Sequence, residues 1–577
     1  MWTIIAKYIR PYWKAALLAP LLMMVEVYTD LLQPQLMASI VDHGVLTGDI
    51  AHIQKTGALM LGVALIGLAG GVGCTVFSSI ASQQFGADVR SDLFMKVQAS
   101  SFRNLERFTT GSLITRLTND VTQVQMFVQM LLRILVRAPL LTVGSLIMAF
   151  TISVKLALIL VIVTPVLFGV LFAVIRRGFP LFSQVQQKLD RLNNVLQENL
   201  SGIRVVKAFV RADYENKRFR AANDDFMHIA VKANLVMATM MPVMFLLLNA
   251  SIVAALWFGG KLYWGGSLQV GELVAFTNYV TQMLFSMMMV GMMMMNVSRA
   301  KASVGRIQEV LGSQSEIRDK DGAKPHTIRA GRIAFEDVSF AYDPDEPVLQ
   351  HISFTAEPGQ TVAILGATGS GKSSLVSLIP RLYDVAAGRV LIDGIDVRDF
   401  PQRHLRSQIG MVLQQAVLFS GTIRDNIAFG RPDASQEEIE AAARAAQAHD
   451  FIAALADGYD TVLGQRGVNL SGGQKQRISI ARALLIKPRI LILDDSTSAV
   501  DLGTESRIQA ALKELMQGST CLIIAQRISS VLEADQIIVL DEGRVAAVGT
   551  HRELLATSEV YQEIYRSQLK EEDAASA

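Results

Sequence analysis

Hydrophobic and polar positions are segregated along this chain. Up to about residue 299 it is built of long uncharged apolar runs, and from about residue 312 it reads as an ordinary α/β domain. A helix needs about 20 apolar residues to cross a bilayer. Four stretches qualify without any charge: residues 56–87, 156–175, 234–258 and 273–298. Two more qualify with embedded charge, 15–41 carrying Glu26 and Asp30, and 130–154 carrying Arg133 and Arg137. The pattern therefore predicts six spanning helices, an even number that leaves both chain ends on one side. The connections 42–55, 153–155 and 259–272 hold few Lys or Arg, whereas those between spans two and three and between four and five are rich in them. By the positive-inside rule the two long basic segments are cytoplasmic. Their helical pattern, without Gly/Pro joints, predicts helices that continue well past the membrane. Residues 1–14 lack the apolar core and cleavage site of a signal peptide. They read as an amphipathic helix, Trp2, Ile5, Tyr8 and Ile9 against Lys7, Arg10 and Lys14, expected in the cytoplasmic interface.

Composition sharpens the division. Of 577 residues 51% are hydrophobic and 18% charged, too apolar for a wholly soluble protein and too charged for a wholly membrane one. A net charge of +2 implies no strongly basic surface and by itself says nothing about a nucleic-acid partner; none is expected. Cys74 lies in an apolar run and Cys521 in the soluble half, so no disulfide between them is expected, and a reducing compartment suits the soluble half.

The candidate chemistry lies in that half. After a polar linker, strand-like segments occur at 333–340 and 361–365. The second runs directly into Gly366-Ala-Thr-Gly-Ser-Gly-Lys372-Ser373 and then a helical run. This is a phosphate-binding loop in its required strand–loop–helix setting. Its glycines let backbone N–H groups close on phosphates, Lys372 reaches the β and γ oxygens, and the Ser373 hydroxyl ligates Mg²⁺. Further on, residues 490–494 read as a buried strand ending in Asp494, the Walker B carboxylate that completes the Mg²⁺ site. Between the two lies Leu470-Ser471-Gly472-Gly473-Gln474.

With that pentapeptide the whole chain resembles the ATP-binding-cassette (ABC) family, in the multidrug-resistance exporter type. The resemblance implies a membrane all-α domain of six transmembrane helices with the ABC exporter fold, followed by an α/β P-loop nucleotide-binding domain with a helical subdomain. The corresponding boundaries are 1–311, a linker at 312–330, and 331–577. It implies ATP and Mg²⁺ as cofactors. Nucleotide contacts then fall on Tyr342, which stacks on adenine, and on Gly366, Thr368, Gly369, Ser370, Gly371, Lys372, Ser373 and Ser374. Ser471, Gly472, Gly473, Gln474 and the D-loop Asp501 serve an ATP shared with a second half-transporter, because cassettes in the family pair head to tail. Gln414 is the Q-loop glutamine, which with Ser373 and Asp494 surrounds the metal. Segments 102–120 and 201–219 would hold the coupling helices.

Two positions depart from the family pattern. The catalytic glutamate after Walker B is here Asp495, and the switch histidine is Gln526. Aspartate withdraws its oxygens by roughly 1.5 Å, and misplacement of about 1 Å can cost ~100-fold in rate. Glutamine is an amide that cannot carry a histidine's charge. A milder change puts Gln465 where exporters usually have glutamate. Departures at two partner positions of one reaction, with Lys372, Ser373, Asp494 and the pentapeptide intact, are expected of a slow ATP site in a heterodimer. A homodimer with two slow sites is the runner-up.

The transport pathway is written less clearly. Met237, Met240, Met241 and Met244 in span five and Met283, Met287, Met288, Met289 and Met292–Met295 in span six favour an amphiphilic or drug-like cargo. Glu26 and Asp30 share one face of span one, and Arg137 lies at similar depth in span three. Two readings stand, a Glu26–Arg137 pair locking helices together and a contact for a cationic substrate. The expected setting is a bacterial inner membrane, with termini and nucleotide-binding domain cytoplasmic. A nucleotide-gated regulator or channel, or an importer on the same scaffold, are the competing functions.

Overall fold

The computed structural model describes the backbone of residues 1–320, 322–497, 500–525 and 527–576, with the side chains of 171, 175, 179, 290–295, 466, 502, 529 and 568–576 outside the description. Gln526, Ser498 and Ala499, and the side chains of Met292–Met295, therefore lie outside the described residues. The chain divides into two units, one of Met1–Gln98 with Thr110–Ser313, the other of Ala99–Thr109 with Gln314–Ala577.

In the first unit every long apolar stretch becomes a helix, the form that satisfies all backbone polar groups internally where no water reaches. The helices are Trp13–Ile40, Ile50–Gln98, Val121–Ile152, Val154–Ser201, Ala212–Ala238 continued by Met240–Trp264, and Val270–Gly312. Among the described residues five helices are long and apolar enough to cross a membrane. The sixth expected span lies on Val270–Gly312. Ile50–Gln98 has 49 residues, about 74 Å at 1.5 Å per residue. That is more than twice the hydrocarbon thickness, so its polar end continues beyond the apolar stretch as expected. Ser153 caps Val154–Ser201, and a Gln269/Glu272 capping box starts Val270–Gly312. The first two spanning helices approach closely because Gly70 has no side chain; a Cβ there would lie 3.0 Å from the Leu22 carbonyl oxygen.

The N-terminal helix Trp2–Ile9 differs from expectation. It buries Ile4, Ile5 and Tyr8, and the Tyr8 and Tyr12 hydroxyls donate to Asp92 and Asp88 of the second long helix at 2.7 and 2.9 Å. Protein covers the apolar face that the sequence assigns to the membrane interface, and Trp2 is left exposed.

The second unit holds two principal sheets. Strands β1 (Ile333–Asp343), β2 (Glu346–Ala356), β4 (Ala387–Ile392) and β5 (Ile395–Asp396) form an antiparallel sheet in the order β2-β1-β4-β5. Strands β3 (Thr361–Gly366), β6 (Ile409–Val412), β9 (Ile490–Asp494), β10 (Thr520–Ile524), β11 (Gln536–Asp541) and β12 (Arg544–Gly549) form the second, in the order β12-β11-β3-β10-β9-β6. A small pair, β7 (Gly421–Thr422) with β8 (Val462–Leu463), lies in the helical part of the unit. All pairings in the larger sheet are parallel except β11 with β12. Its central strands are buried on both faces and largely apolar, with all five residues of β9 buried, whereas the edge strand β12 alternates exposed and half-buried residues. Parallel direction brings the chain out of β3, β6, β9 and β10 at one edge, where ligands of open α/β sheets bind.

Candidate functional site: the phosphate loop and the strand ends around it

Each expected residue of the nucleotide site can be followed from its strand. The loop after β3 needs backbone conformations that only glycine adopts easily. Gly366 has φ 156°, and a Cβ on it would lie 2.2 Å from the Leu540 carbonyl oxygen. Gly371 has φ 94°, and its Cβ would meet Leu349 at 2.7 Å. At Gly369 the space is open, as close approach of a ligand to backbone N–H groups requires. Thr368 is exposed beside it, whereas Ser370 is buried and its Oγ has no hydrogen-bond partner among the described residues.

Lys372 folds back over the loop, Nζ donating to the Gly366 and Ala367 carbonyl oxygens at 2.8 Å each. Burial lowers its proton affinity, and the Asp495 and Asp494 carboxylates oppose that fall. Ser373 Oγ donates to Asp494 Oδ1 at 3.0 Å. From the end of β6 Gln414 reaches in, its Nε2 donating to Asp495 Oδ2 at 3.3 Å. Burial raises both carboxylates above the ordinary range, against the hydrogen bond from Ser373 on one and from Gln414 on the other. Asp495 has φ 47°, a left-handed conformation that a short polar residue tolerates better than most. Thus Lys372, Ser373, Asp494, Asp495 and Gln414 converge from three strand ends.

Tyr342 ends β1 half-exposed, its hydroxyl 3.0 Å from the buried Ser374 Oγ. Its ring meets Phe340 and Tyr383 edge-on, with centroids 4.9 and 5.2 Å away. The Tyr383 hydroxyl donates to Glu106 at 2.5 Å, and Glu106 belongs to Phe102–Glu106, the short helix inside one expected coupling segment. Ile203–Ala208 is the corresponding short helix in the other.

The remaining candidates stand on other elements. Ser471 caps the helix Gly472–Leu485 in a reciprocal box with Gln474: the Gln474 amide donates to Ser471 Oγ at 3.3 Å, and the Ser471 amide to Gln474 Oε1 at 2.9 Å. Ser471 and Gly472 are exposed, so this helix N-terminus offers free N–H groups to an anion. Asp501 caps Leu502–Leu515 by accepting from the Thr504 amide at 2.9 Å. Among the described residues no hydrogen bond joins Ser471, Gln474 or Asp501 to the phosphate loop.

The residues present fit a nucleoside triphosphate with a hard cation. An open glycine-lined cradle, a lysine and an unpartnered buried hydroxyl suit phosphate oxygens. Ser373, Asp494 and Gln414 would supply oxygen ligands of the kind that Mg²⁺ takes. Bound there, ATP supplies the phosphoanhydride whose hydrolysis is the energy source. Lys372 would hold phosphate oxygens, and the Ser373–Asp494 bond would keep the two candidate metal ligands together beforehand.

In the first unit the structure brings all three membrane candidates together. Arg137 bonds Glu26 through Nη1, and its Nη2 donates to Asp30 Oδ2 at 2.9 Å. One guanidinium thus faces two carboxylates. Gln282, which the sequence reading did not single out, donates from Nε2 to the Asp30 carbonyl oxygen at 3.3 Å. Glu26 Oε2 and Gln282 Oε1 are buried without a hydrogen-bond partner among the described residues. A polar residue inside a charge-free apolar span was the signal available for Gln282. Of the methionines, Met240, Met244, Met283, Met287 and Met288 pack into a hydrophobic core. Met241 and Met289 are exposed and Met237 partly so.

These are the two parts of an ABC exporter, a helical membrane domain and an ATPase domain. Residues 16–287 match the family described as ABC transporter transmembrane region, and residues 349–498 the family described as ABC transporter. The chain is 45% identical over 570 residues to the uncharacterized ABC transporter ATP-binding protein YfiB of Bacillus subtilis strain 168, covering 99% of each. It is 38% identical over 516 residues to the ATP-dependent lipid A-core flippase of Syntrophus aciditrophicus strain SB, covering 89% of this chain and 86% of that protein. A solved bacterial Atm1-family ABC exporter with ATP bound superposes with a TM-score of 0.79 at 27% identity, covering 97% of this chain and 98% of that one. The chain belongs to the ABC transporter family. As such it is an ATP-hydrolysing transporter of the membrane, in a family whose half-transporters generally dimerise.

Proposed function

We propose that this chain is one half of a heterodimeric exporter of amphiphilic or drug-like small molecules or lipids, contributing a slow ATP site. Its membrane domain would be 1–311 and its nucleotide-binding domain 331–577, joined by 312–330, with both termini on the cytoplasmic side of an inner membrane. The observation that carries the reading is Asp495. Its short carboxylate sits in a left-handed backbone position and is held by Gln414 at 3.3 Å. A water attacking the γ-phosphate would need a carboxylate reaching one methylene further. Gln526, outside the described residues, removes the histidine that would steady such a carboxylate. The intact Ser471–Gln474 helix start has a use only in an ATP site completed on another chain.

The cargo reading draws on the Glu26–Asp30–Arg137 group, where two acids and one base leave an excess of acceptor oxygens, and on the named activity of the lipid A-core flippase relative. The test is ATPase activity of the purified chain, alone and with a candidate partner half-transporter. It is set beside Asp495→Glu combined with Gln526→His. A near-silent lone chain, an active pair, and a smaller effect from restoring this site than from removing the partner's glutamate are expected. Brisk cargo-stimulated hydrolysis by a dimer of this chain alone would overturn the heterodimer.

A further inference from the structure

Glu505 is a carboxylate that ATP binding as described does not use, yet it is 4% exposed. It lies in the first turn of Leu502–Leu515. Its Oε1 accepts two hydroxyl donors, Thr497 Oγ1 at 2.7 Å and Ser530 Oγ at 2.5 Å. The Arg527 guanidinium is 3.7 Å from Oε2. From one helical turn further along, Gln509 Nε2 donates to the Ser530 carbonyl oxygen at 3.2 Å. Thr497 stands two residues beyond Asp495, in the turn leaving β9, whereas Arg527 and Ser530 belong to the segment leaving β10. The two strand ends are already joined once, by the Asp495 amide donating to the Ile524 carbonyl oxygen at 3.0 Å. Glu505 joins them again, further from the sheet. Burying a carboxylate is far costlier than burying an apolar group of equal size unless its charge and lone pairs are met. An apolar residue would fill the volume, but it could not grip two hydroxyls from two separate loops.

We propose that Glu505 is a positioning residue that clamps the Asp495 turn to the segment after β10, so that both flanks of the γ-phosphate pocket move as one body when ATP binds. The proposal rests on the ATP-site reading above. It requires that loosening one hydroxyl tie frees the far segment while leaving the phosphate loop intact.

Hydrogen–deuterium exchange on the full chain in detergent, with and without Mg-ATP, tests this. The parent is expected to show ATP-dependent protection at residues 366–374, 495–497 and 527–531. In Thr497→Val, nearly isosteric, protection at 366–374 persists while exchange at 527–531 with ATP rises about tenfold. Ser530→Ala produces the mirror effect at 495–497. The double variant is no worse than the poorer single one, because both act through one carboxylate. Unchanged protection at 527–531 in Thr497→Val, or single effects that multiply in the double variant, would overturn the clamp. Absence of ATP-dependent protection at 366–374 in the parent would overturn the ATP-site reading itself, a separate and recognisable failure.

Discussion

Replacing Arg137 with methionine keeps much of the side chain's length and removes the positive charge set against Glu26 and Asp30. Two charge-assisted hydrogen bonds are lost, each worth about 1.5–3 kcal/mol. The two carboxylates, one helical turn apart, are left facing each other at about 6 Å. At an effective dielectric of about 20 their repulsion is about 3 kcal/mol. The sum, about 6–9 kcal/mol, overstates the damage, because the folded protein has an easier course in binding a proton. Neutralising a carboxyl group costs about 1.4 kcal/mol for each pH unit above the ~4 at which carboxyls titrate in water. One proton removes the repulsion and one of the losses but leaves the second carboxylate without its arginine, so Arg137→Met is expected to lose about 6–7 kcal/mol at pH 7 and about 3–4 kcal/mol at pH 5. Adding Glu26→Gln and Asp30→Asn removes the charges altogether and should bring stability to within about 1 kcal/mol of the parent. Reversible unfolding by SDS in mixed micelles, followed by tryptophan fluorescence at both pH values, measures all three proteins. A single variant as stable as the parent at pH 7, or a loss that does not shrink at pH 5, refutes the reasoning. With the triple variant folded, loss of stimulation by cationic but not neutral cargo identifies the acids as a cargo contact. Retention of both leaves them as a helix lock.

Two further outcomes follow from buried geometry. Asp120, 2% exposed, accepts from Arg306 Nε at 2.7 Å and Ser303 Oγ at 2.8 Å. Asp120→Asn should therefore cost about 2–3 kcal/mol in the same unfolding assay. Burial pushes the Asp120 carboxyl up, but Arg306 and Ser303 hold it below its ordinary 3.8. Its contribution is thus present above that value and lost as pH falls through the lower folded one, so parent and variant should converge in acid. Gly371→Ala would put a methyl 2.7 Å from Leu349 in a backbone conformation with φ 94°. Fluorescent-nucleotide titration should show affinity weakened more than tenfold, about 1.4 kcal/mol or beyond, and unchanged affinity would count against the loop as the phosphate cradle.

The parts legible in the sequence are those whose signal is local. An apolar run long enough to span a bilayer can satisfy its backbone only as a helix, so the stretches at 15–41 and 56–87 fall inside Trp13–Ile40 with its short continuation and Ile50–Gln98. The strand–glycine–lysine order around Gly366 and Lys372 has the same character, and β9 ends at Asp494 as its apolar run does. What stayed hidden depends on what the chain meets elsewhere. Periodicity marks an apolar face on residues 2–9 but cannot say that the second long helix covers it. Nothing in an amphipathic helix distinguishes Glu505 from a solvated glutamate, because its donors come from two other loops. Spacing put Glu26 and Asp30 on one face, but only the packing shows that a single arginine serves both.

Strand order also bears on why the unusual residues come as a pair. Strand β10 lies between β3 and β9, and its pairing with β9 runs in register to the last residue, Ile524 opposite Asp494. The chain therefore leaves the sheet at Asp495 and at Ala525 from adjacent, paired positions, and Gln526 is the next residue in sequence. Positions 495 and 525 are thus neighbours by topology although 30 positions apart in the chain. On the proposed function, a glutamate alone at 495 lacks the histidine that the family pattern pairs with it, and a histidine alone at 526 lacks that glutamate. Each single reversion is then expected to recover much less hydrolysis than the two together, with a coupling of about 0.5–3 kcal/mol. Single reversions that simply multiply would mean that the two positions act independently, and that their joint departure from the family pattern needs no common cause.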